Sequence, residues 1–194
     1  GVTSHIAGTT ISRDPFGRIA HVSVDGIAAP FVCSYLTGTD LQCSLSMPNG
    51  VTRETAFDPH RALPVSITHT NISGTVLTHR TFTRDADDRL TNRTQYRLGD
   101  ETNRLDAFGY NPRSELTSAA LGTNGYVYAF DPIGNRLSSA EPYGAGLVSA
   151  LYTANALNQY TSISNSVPSC EFVPEFDVDG NQTMLRTTTG IWHV

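Results

Sequence analysis

The sequence predicts an all-β protein in which tandem β-hairpins join into one continuous antiparallel sheet. Three observations lead to this prediction. Short runs of alternating apolar and polar residues follow one another along the 194-residue chain, which is typical of strands with one solvated face. A turn motif that opens with Asp or Asn recurs between these runs. Only 39% of the residues are hydrophobic and 16% are charged, so Thr, Ser and Asn supply much of the polar face.

The clearest copy of the turn motif lies in the stretch from Tyr128 to Leu137. Asp131 suits the first position of a turn because its side chain can accept a hydrogen bond from the backbone N–H two residues on. Pro132 presets φ at the second position, and Gly134 can adopt the positive φ that leads into the partner strand. Together these residues predict a type I turn closed by a glycine bulge between two antiparallel strands.

The same motif recurs along the chain with other residues at the opening position. The further openers are Asp14 (with Gly17), Asp58, Asp85, Asn111, a degenerate copy at Thr153, and Asp177 (with Gly180). Successive gaps between the seven openers are 44, 27, 26, 20, 22 and 24 residues, and a poor copy, Tyr35-Leu36-Thr37-Gly38, lies in the middle of the longest gap. A period of 20 to 27 residues over nearly the whole chain is typical of a repeat protein.

A second class of turn falls between the openers. Its copies are Asp25-Gly26, Pro48-Asn49-Gly50, Ser73-Gly74, Gly99-Asp100, Asn124-Gly125, Gly144-Ala145-Gly146 and Asn165-Ser166. Each repeat is therefore predicted to consist of strand, turn, strand and turn. The most charged stretch, residues 84–104, and the stretch with the best helix propensity, residues 147–159, are both predicted as strands because the period runs through them.

The pattern Tyr/Phe-Asp-x-x-Gly-Arg/Asn-x-Leu resembles the YD repeat, also called the RHS repeat, of bacterial RHS proteins, toxin-complex cocoons and teneurins. The segments that carry the resemblance are Phe130–Leu137, Phe176–Asn181 and Thr153–Tyr160, and the resemblance covers residues 10 to 194. It implies a long β-sheet that spirals into a hollow shell. Several copies lack the glycine, and we find no core-terminating signature, toxin tip or plug domain, so the resemblance implies the shell fold and no cargo or catalytic tip.

The chain is predicted to be a single repeat domain, 1–194, of about eight YD-like repeats and a segment of a longer protein. It starts at Gly1 in mid-pattern, and Ile191, Trp192 and Val194 form an apolar run with nothing after it. Neither end carries a covering cap, so we expect the edges to meet neighbouring repeats of the parent chain or further copies of this one.

Composition and charge argue against several classes of function. The net charge of −5 gives no electrostatic reason to bind nucleic acid or an anionic membrane. All 13 basic residues are Arg, which argues against a Walker-type phosphate loop and Schiff-base chemistry because both need a lysine. No apolar run approaches the roughly 20 residues that a membrane-spanning helix needs. Gly-x-Ser-x-Gly is absent, and no spacing pairs a nucleophile with a base.

Three groups of residues have the chemistry of metal sites, but each has a simpler interpretation. The segment 175–180 imitates the start of a calcium loop, yet Arg186 stands where a bidentate Glu is needed, and Asp177 and Gly180 fit the turn. His69 and His79 lie symmetrically about Gly74 and would face each other as two zinc ligands, which is an incomplete site. The cluster at Asp85, Asp87 and Asp88 fits a solvated turn. The sequence thus predicts no metal and no cofactor.

The cysteines at positions 33 and 43 lie at equal distances from Gly38. If the turn were centred there, Cys33 and Cys43 would oppose each other in a non-hydrogen-bonded pair, where Cα atoms lie about 4.5 Å apart, near the lower limit of disulfide geometry. A disulfide is therefore predicted if the protein is extracytoplasmic, with Cys170 left free or paired between chains.

The leading functional hypothesis is a non-enzymatic structural protein, a YD-repeat sheet that forms part of a secreted or cell-surface shell or an extended surface element. Two alternatives remain open. Unpaired sheet edges would let the chain build an extracellular filament by edge-to-edge strand addition. Aromatic residues beside the turns would instead form a carbohydrate-binding or adhesion module, although such aromatics more often pack against those of the next repeat. An enzyme would need a buried acid–base pair, which the sequence does not mark.

Overall fold

The computed structural model describes residues 3–6, 8–187 and 190–193, and every regular element among them is a β-strand. The chain divides into two compact units, Gly1–Leu105 and Asp106–Val194. The first unit contains β1 (Thr3–Ile6), β2 (Thr9–Arg13), β3 (Ile19–Val24), β4 (Phe31–Tyr35), β5 (Gln42–Ser46), β6 (Thr52–Phe57), β7 (Pro64–Thr70), β8 (Val76–Arg84) and β9 (Leu90–Arg97). Strands β1 to β9 pair antiparallel in chain order.

The second unit repeats this simple order. It contains β10 (Arg104–Tyr110), β11 (Leu116–Leu121), β12 (Asn124–Phe130), β13 (Arg136–Tyr143), β14 (Gly146–Ala154), β15 (Tyr160–Ser166) and β16 (Ser169–Phe172), followed by β17 (Met184–Thr187) and β18 (Gly190–His193). Strands β10 to β16 pair antiparallel in chain order, and β17 pairs with β18 as a separate hairpin. The predicted all-β class and the tandem antiparallel hairpins are confirmed in each unit.

Alternation along the strands decides which face is covered. In β14, Val148, Ala150 and Tyr152 lie on the covered face, while Leu147 and Leu151 on the opposite face are exposed. A period of two therefore overrides the helix propensity of this segment, as predicted.

The buried core is thin in the described residues. The buried hydrophobic residues are Ala119, Ala150 and Phe172, all of the second unit, and the buried polar residues are Asp106 and Ser139. A sheet that covers so little apolar surface depends on cross-strand side-chain pairs and on the hydrogen bonds of its turns.

Two of the predicted turns are displaced by two residues. The two-residue loops of the second unit are Gly122-Thr123, Gly144-Ala145 and Val167-Pro168. The turn predicted at residues 124–125 was therefore placed two residues too late, and the turn predicted at residues 165–166 two residues too early. The degenerate opener predicted at Thr153 is also wrong, because Thr153 pairs within β14 and Asn155 opens the turn. Strand propensity at Tyr152 and Thr153 had masked the Asn that provides the acceptor.

The register predicted for the cysteines is wrong. Cys33 pairs with Leu45, and Cys43 falls in a bulge between β4 and β5, because the connecting loop runs from Leu36 to Leu41 and is not centred on Gly38. The directly opposed geometry that motivated the disulfide is therefore not formed, and Cys33 and Cys43 are not bonded to each other. Val194, which ends the apolar run predicted at the chain end, lies outside the described residues, and only the backbone of Ile191 and Trp192 is described, in β18.

Candidate functional site: the edge of repeated turns

The turn at Asp131 is a closed five-residue loop between β12 and β13. The Asp131 N–H donates to the carbonyl of Asn135 at 2.9 Å, and the Gly134 N–H donates back to the Asp131 carbonyl at 3.2 Å. The Asp131 Oδ1 atom accepts from the N–H groups of Ile133 and Asn135, both at 2.9 Å. One side-chain oxygen thus satisfies two backbone donors inside the loop, as the sequence predicted for the first of them.

Six other turns reproduce this network of hydrogen bonds. In each, the opener's side-chain oxygen accepts from the backbone N–H groups two and four residues on, and the N–H three residues on donates to the opener's carbonyl. The openers are Asp14, Asn71, Asp85, Asn111, Asn155 and Asp177. We call these seven five-residue loops the Asx turns.

The turn at Asp58 is a longer variant. Its Oδ1 atom accepts from the N–H groups of His60 and Arg61, but the loop has six residues and closes where the Asp58 N–H donates to the Leu63 carbonyl at 2.9 Å. Asp58 opens this longer loop, and the extra residue explains why this copy lacks the usual glycine position.

The fourth residue of every Asx turn has a positive φ. Glycine holds this position at Gly17 (83°), Gly74 (79°), Gly134 (97°) and Gly180 (85°). Asp88 (63°), Ser114 (65°) and Asn158 (62°) hold it without glycine. Side chains with a Cβ are disfavoured in this conformation by roughly 1 kcal/mol or more, so the opener's hydrogen bonds must compensate in these three turns.

The fifth residue explains the Arg or Asn of the repeat pattern. Arg18 and Arg89 donate from Nε to the second carboxylate oxygen of Asp14 and Asp85, in both cases at 2.7 Å. In the turns at Asp131 and Asp177, an Asn amide reaches the same oxygen at 2.9 Å. The fifth side chain therefore donates to Oδ2 of the opening Asp, while Oδ1 of the same carboxylate accepts from the backbone.

These contacts keep the opening carboxylates ionised. Partial burial acts to raise the pKa of Asp14, Asp85 and Asp131, but the hydrogen bonds within each turn outweigh it and lower the pKa below its usual value. Hydrogen bonds from Arg61 and Asn181 are the main reason that the pKa values of Asp58 and Asp177 are also lowered. Such groups act as permanent acceptors at neutral pH, which suits a structural role.

Successive turns on one edge of the first unit contact each other. Arg18 donates to the Thr39 carbonyl in the next loop, and Tyr35 at the base of that loop donates from its hydroxyl to the Ile19 carbonyl at 2.9 Å. Arg61 bridges two turns, since it pairs with Asp58 at 2.9 Å and also with Asp88.

The second unit has equivalent contacts along one edge. Arg113 donates to the Asp131 carbonyl in the following turn. Asn135 donates from Nδ2 to Oδ1 of Asn158 in the turn after that, at 3.3 Å. We use the name turn ladder for these turn-to-turn contacts, in the first unit through Arg18 and Arg61 and in the second through Arg113 and Asn135.

Aromatic residues reinforce the ladder of the second unit from the strand side. The Tyr160 hydroxyl accepts from the Arg136 N–H at 2.9 Å, and the rings of Tyr152 and Tyr160 lie 5.5 Å apart. The Arg136 guanidinium lies 4.7 Å from the centre of the Tyr128 ring. This agrees with the interpretation that aromatics beside the turns pack against those of neighbouring strands.

The structure does not place the two candidate zinc ligands, His69 and His79, opposite each other. His69 pairs with Thr78 and His79 with Thr68, because a bulge shifts the register of β7 against β8. Each histidine shares a hydrogen bond with the opposite threonine hydroxyl, at 3.0 Å for His69 and 2.8 Å for His79. Asp177 of the candidate calcium loop and Asp85 of the acidic cluster each accept hydrogen bonds from backbone N–H groups of their own turns. In the part of the chain that is described, no three His, Cys, Asp or Glu side chains form a group that could hold a metal ion.

Comparison with known proteins rests on structure, because no protein-family profile matches the sequence and no curated protein is similar to it. A crystal structure of TcdB2-TccC3 without its hypervariable C-terminal region superposes with a TM-score of 0.64 and 12% identity over 93% of this chain. The Tc holotoxin pore of Photorhabdus luminescens superposes with a TM-score of 0.59 and 11% identity over 91%. The chain shares its fold with these Tc toxin proteins. It spans 11% and 12% of the length of the two chains it matches.

Sequence reasoning missed two openers of the turn edge. Asn71 lies two residues before the predicted turn at Ser73-Gly74 and was not recognised as an opener, and Asn155 was hidden by the better strand formers before it. The signal that would have found both is Asx followed three residues later by Gly or Asn, without any requirement for a preceding aromatic residue.

Within the described residues, no helix could cross a membrane.

Proposed function

We propose that this chain is a non-enzymatic structural element, a length of YD-repeat sheet that forms part of a wall or shell outside the cell. The observation that carries the proposal is the turn ladder. It joins neighbouring turns in each unit through side chains such as Arg61 and Arg113, and such contacts would stiffen the edge of the sheet. A sheet that serves as a wall needs edges that resist splaying, since its thin core adds little.

Three further observations support the proposal. The repeat pattern resembles YD repeats, a group that includes toxin-complex cocoons. Two Tc toxin proteins share the fold over more than nine-tenths of this chain. The opening carboxylates have lowered pKa values and are engaged with turn donors, which leaves them unsuited to proton transfer. An extracellular location follows from the same likeness and belongs to the proposal.

The partners in this function would be neighbouring repeats or further copies of the chain. A repeat sheet that adds strands at its ends needs no cofactor, and its interfaces are backbone hydrogen bonds with packed side chains.

Electron cryo-microscopy of the intact gene product tests the proposal. We expect residues 9–172 to form one stretch of a larger sheet that encloses a space, with further repeats paired to the outer strands. A particle in which this segment hangs free, with both sheet faces and edges open to solvent, would contradict a wall function.

A further inference from the structure

The second unit contains a pocket on the covered face of β13, β14 and β15. Alternation in β13 places Ser139, Glu141 and Tyr143 on this face, and the registers of β14 and β15 place Ala150 and Asn165 beside them. The cavity has a volume of about 320 Å³. Two small buried residues, Ser139 and Ala150, are cross-strand neighbours at its centre. The side chains around them are larger, so Ser139 and Ala150 form the floor of the cavity.

The walls of the pocket carry one charged group. Glu141 is the charged residue among the lining side chains, and it forms no hydrogen bond or ion pair with any described residue. Tyr143 stands at the mouth and is 56% exposed, while Tyr152 lines the other end, where its hydroxyl lies 3.4 Å from the Ser139 hydroxyl. Glu141 and Tyr143 lie two residues apart on the same face of β13, so the pocket combines a negative charge with the negative face of an aromatic ring at its mouth.

The negative charge of Glu141 affects the pKa of one neighbouring tyrosine. Burial is the main cause that raises the pKa of Tyr128, which pairs with Ser139 across the strands, and the negative charge of Glu141 adds to it. Arg136, a cation of the same strand, lies over the Tyr128 and Tyr152 rings at 4.7 and 5.8 Å and forms no ion pair with Glu141. The tyrosines of this face thus already hold one cation, and Glu141 marks a second position for one.

We propose that the pocket binds an organic ammonium ion, either a lysine side chain of a partner or a quaternary ammonium group. Such an ion would pair with Glu141 while its methylene or methyl groups contact the ring of Tyr143, two residues along the same strand. Another copy of this chain does not supply a lysine, because the sequence has none. The cavity has the size of small-ligand pockets, which begin at about 300 Å³.

The first test is an NMR titration of the chain at low salt with three probes. Choline and Nα-acetyl-lysine methylamide represent the two sources of the ammonium group, and 3,3-dimethylbutanol is a neutral copy of choline with the same shape. We expect saturable shifts on β13 and β14 with at least one ammonium probe and much weaker binding of the alcohol. Whichever ammonium probe binds more tightly identifies the source.

A pair of variants then tests the carboxylate. Glu141→Gln keeps the shape and removes the charge, and it should weaken ammonium binding by about tenfold or more, as expected for loss of a charged partner. Glu171→Gln is the matched control, because Glu171 is exposed and projects from β16 on the opposite face to Asn165 and Cys170. It should bind as the parent does.

Three results would overturn the proposal. They are an absence of binding by both ammonium probes up to millimolar concentration, equal binding of choline and its neutral copy, and equal weakening by the two Glu→Gln variants. A neutral sugar such as glucose that binds more tightly than either ammonium ion would assign the pocket to saccharides instead.

Discussion

The turns at Asp131 and Asn111 have the same hydrogen bonds but differ in the residue at the strained position. Gly134 has a φ of 97° and Ser114 a φ of 65°. The first turn opens with a carboxylate and the second with an amide, and in both the opener's Oδ1 atom accepts from two backbone N–H groups. The comparison teaches that the acceptor at the opening position defines the turn, whereas the glycine only relieves its strain.

The largest expected effect comes from a bulky side chain at the strained position. Gly134→Val would force a β-branched residue to a φ of 97° and place its Cβ 3.2 Å from Oε1 of Glu115. We expect the free energy of unfolding to fall by about 2 kcal/mol, measured by urea denaturation. Gly125→Val is the control, because nothing lies within 4 Å of its Cβ and its φ is not positive. Equal losses in the two variants would mean that the turn conformation is wrong.

Removal of the acceptor should rank second. Asn111→Ala leaves the N–H groups of Arg113 and Glu115 without their partner, and we expect a loss of about 1 kcal/mol. Asn124→Ala is the control, since Asn124 begins β12, is exposed and has no side-chain role in a turn. A loss at Asn111 no greater than at Asn124 would show that the opener is dispensable.

Relief of strain should give a smaller effect of opposite sign. Ser114→Gly retains the turn and removes the penalty of a Cβ at positive φ, so we expect a gain of roughly 0.5 to 1 kcal/mol. The same substitution in the middle of a strand, Ser118→Gly in β11, should destabilise by about the same amount. The two melting temperatures should therefore move in opposite directions, and a shared direction would refute the assignment of strain to residue 114.

Acidification sharpens the difference between Asp and Asn openers. Because the pKa values of Asp14, Asp85 and Asp131 are lowered by folding, these carboxylates stabilise the fold above the unfolded pKa of about 4. That stability is lost as the pH falls through the folded pKa values. Asp131→Asn keeps the acceptor, as Asn111 and Asn155 do, and should make the melting temperature less sensitive to pH below about 4. An unchanged pH profile would mean that Asp131 does not contribute to the acid sensitivity.

The fold could be predicted from the sequence because its information is local. Alternation, turn residues and a period of 20 to 27 residues all indicated antiparallel hairpins. The openers at Asp14, Asp85, Asn111, Asp131 and Asp177 were found for the same reason, since each lies within four residues of the donors it satisfies.

Register could not be predicted to the same accuracy. Many strands have a bulge next to the loop, for example between His69 and Thr70 or between Ser34 and Tyr35. Each bulge shifts by one residue the pairing of all residues farther from that loop. The disulfide and the histidine pair were both inferred from symmetry about a glycine, and a single bulge removes that symmetry. The pocket at Glu141 depends on residues from three strands, so no local pattern marks it.

Hydrogen exchange at the two amides inside each Asx turn tests the central claim most directly. The side chain of Ile133 is 69% exposed, and an amide at such a position exchanges quickly unless a hydrogen bond holds it. We predict that the amides of Ile133 and Asn135, and those of Arg113 and Glu115 in the Asn111 turn, are protected as well as the adjacent strand amides. Rapid exchange of these four amides beside protected strands would contradict an edge built on the opening side chains.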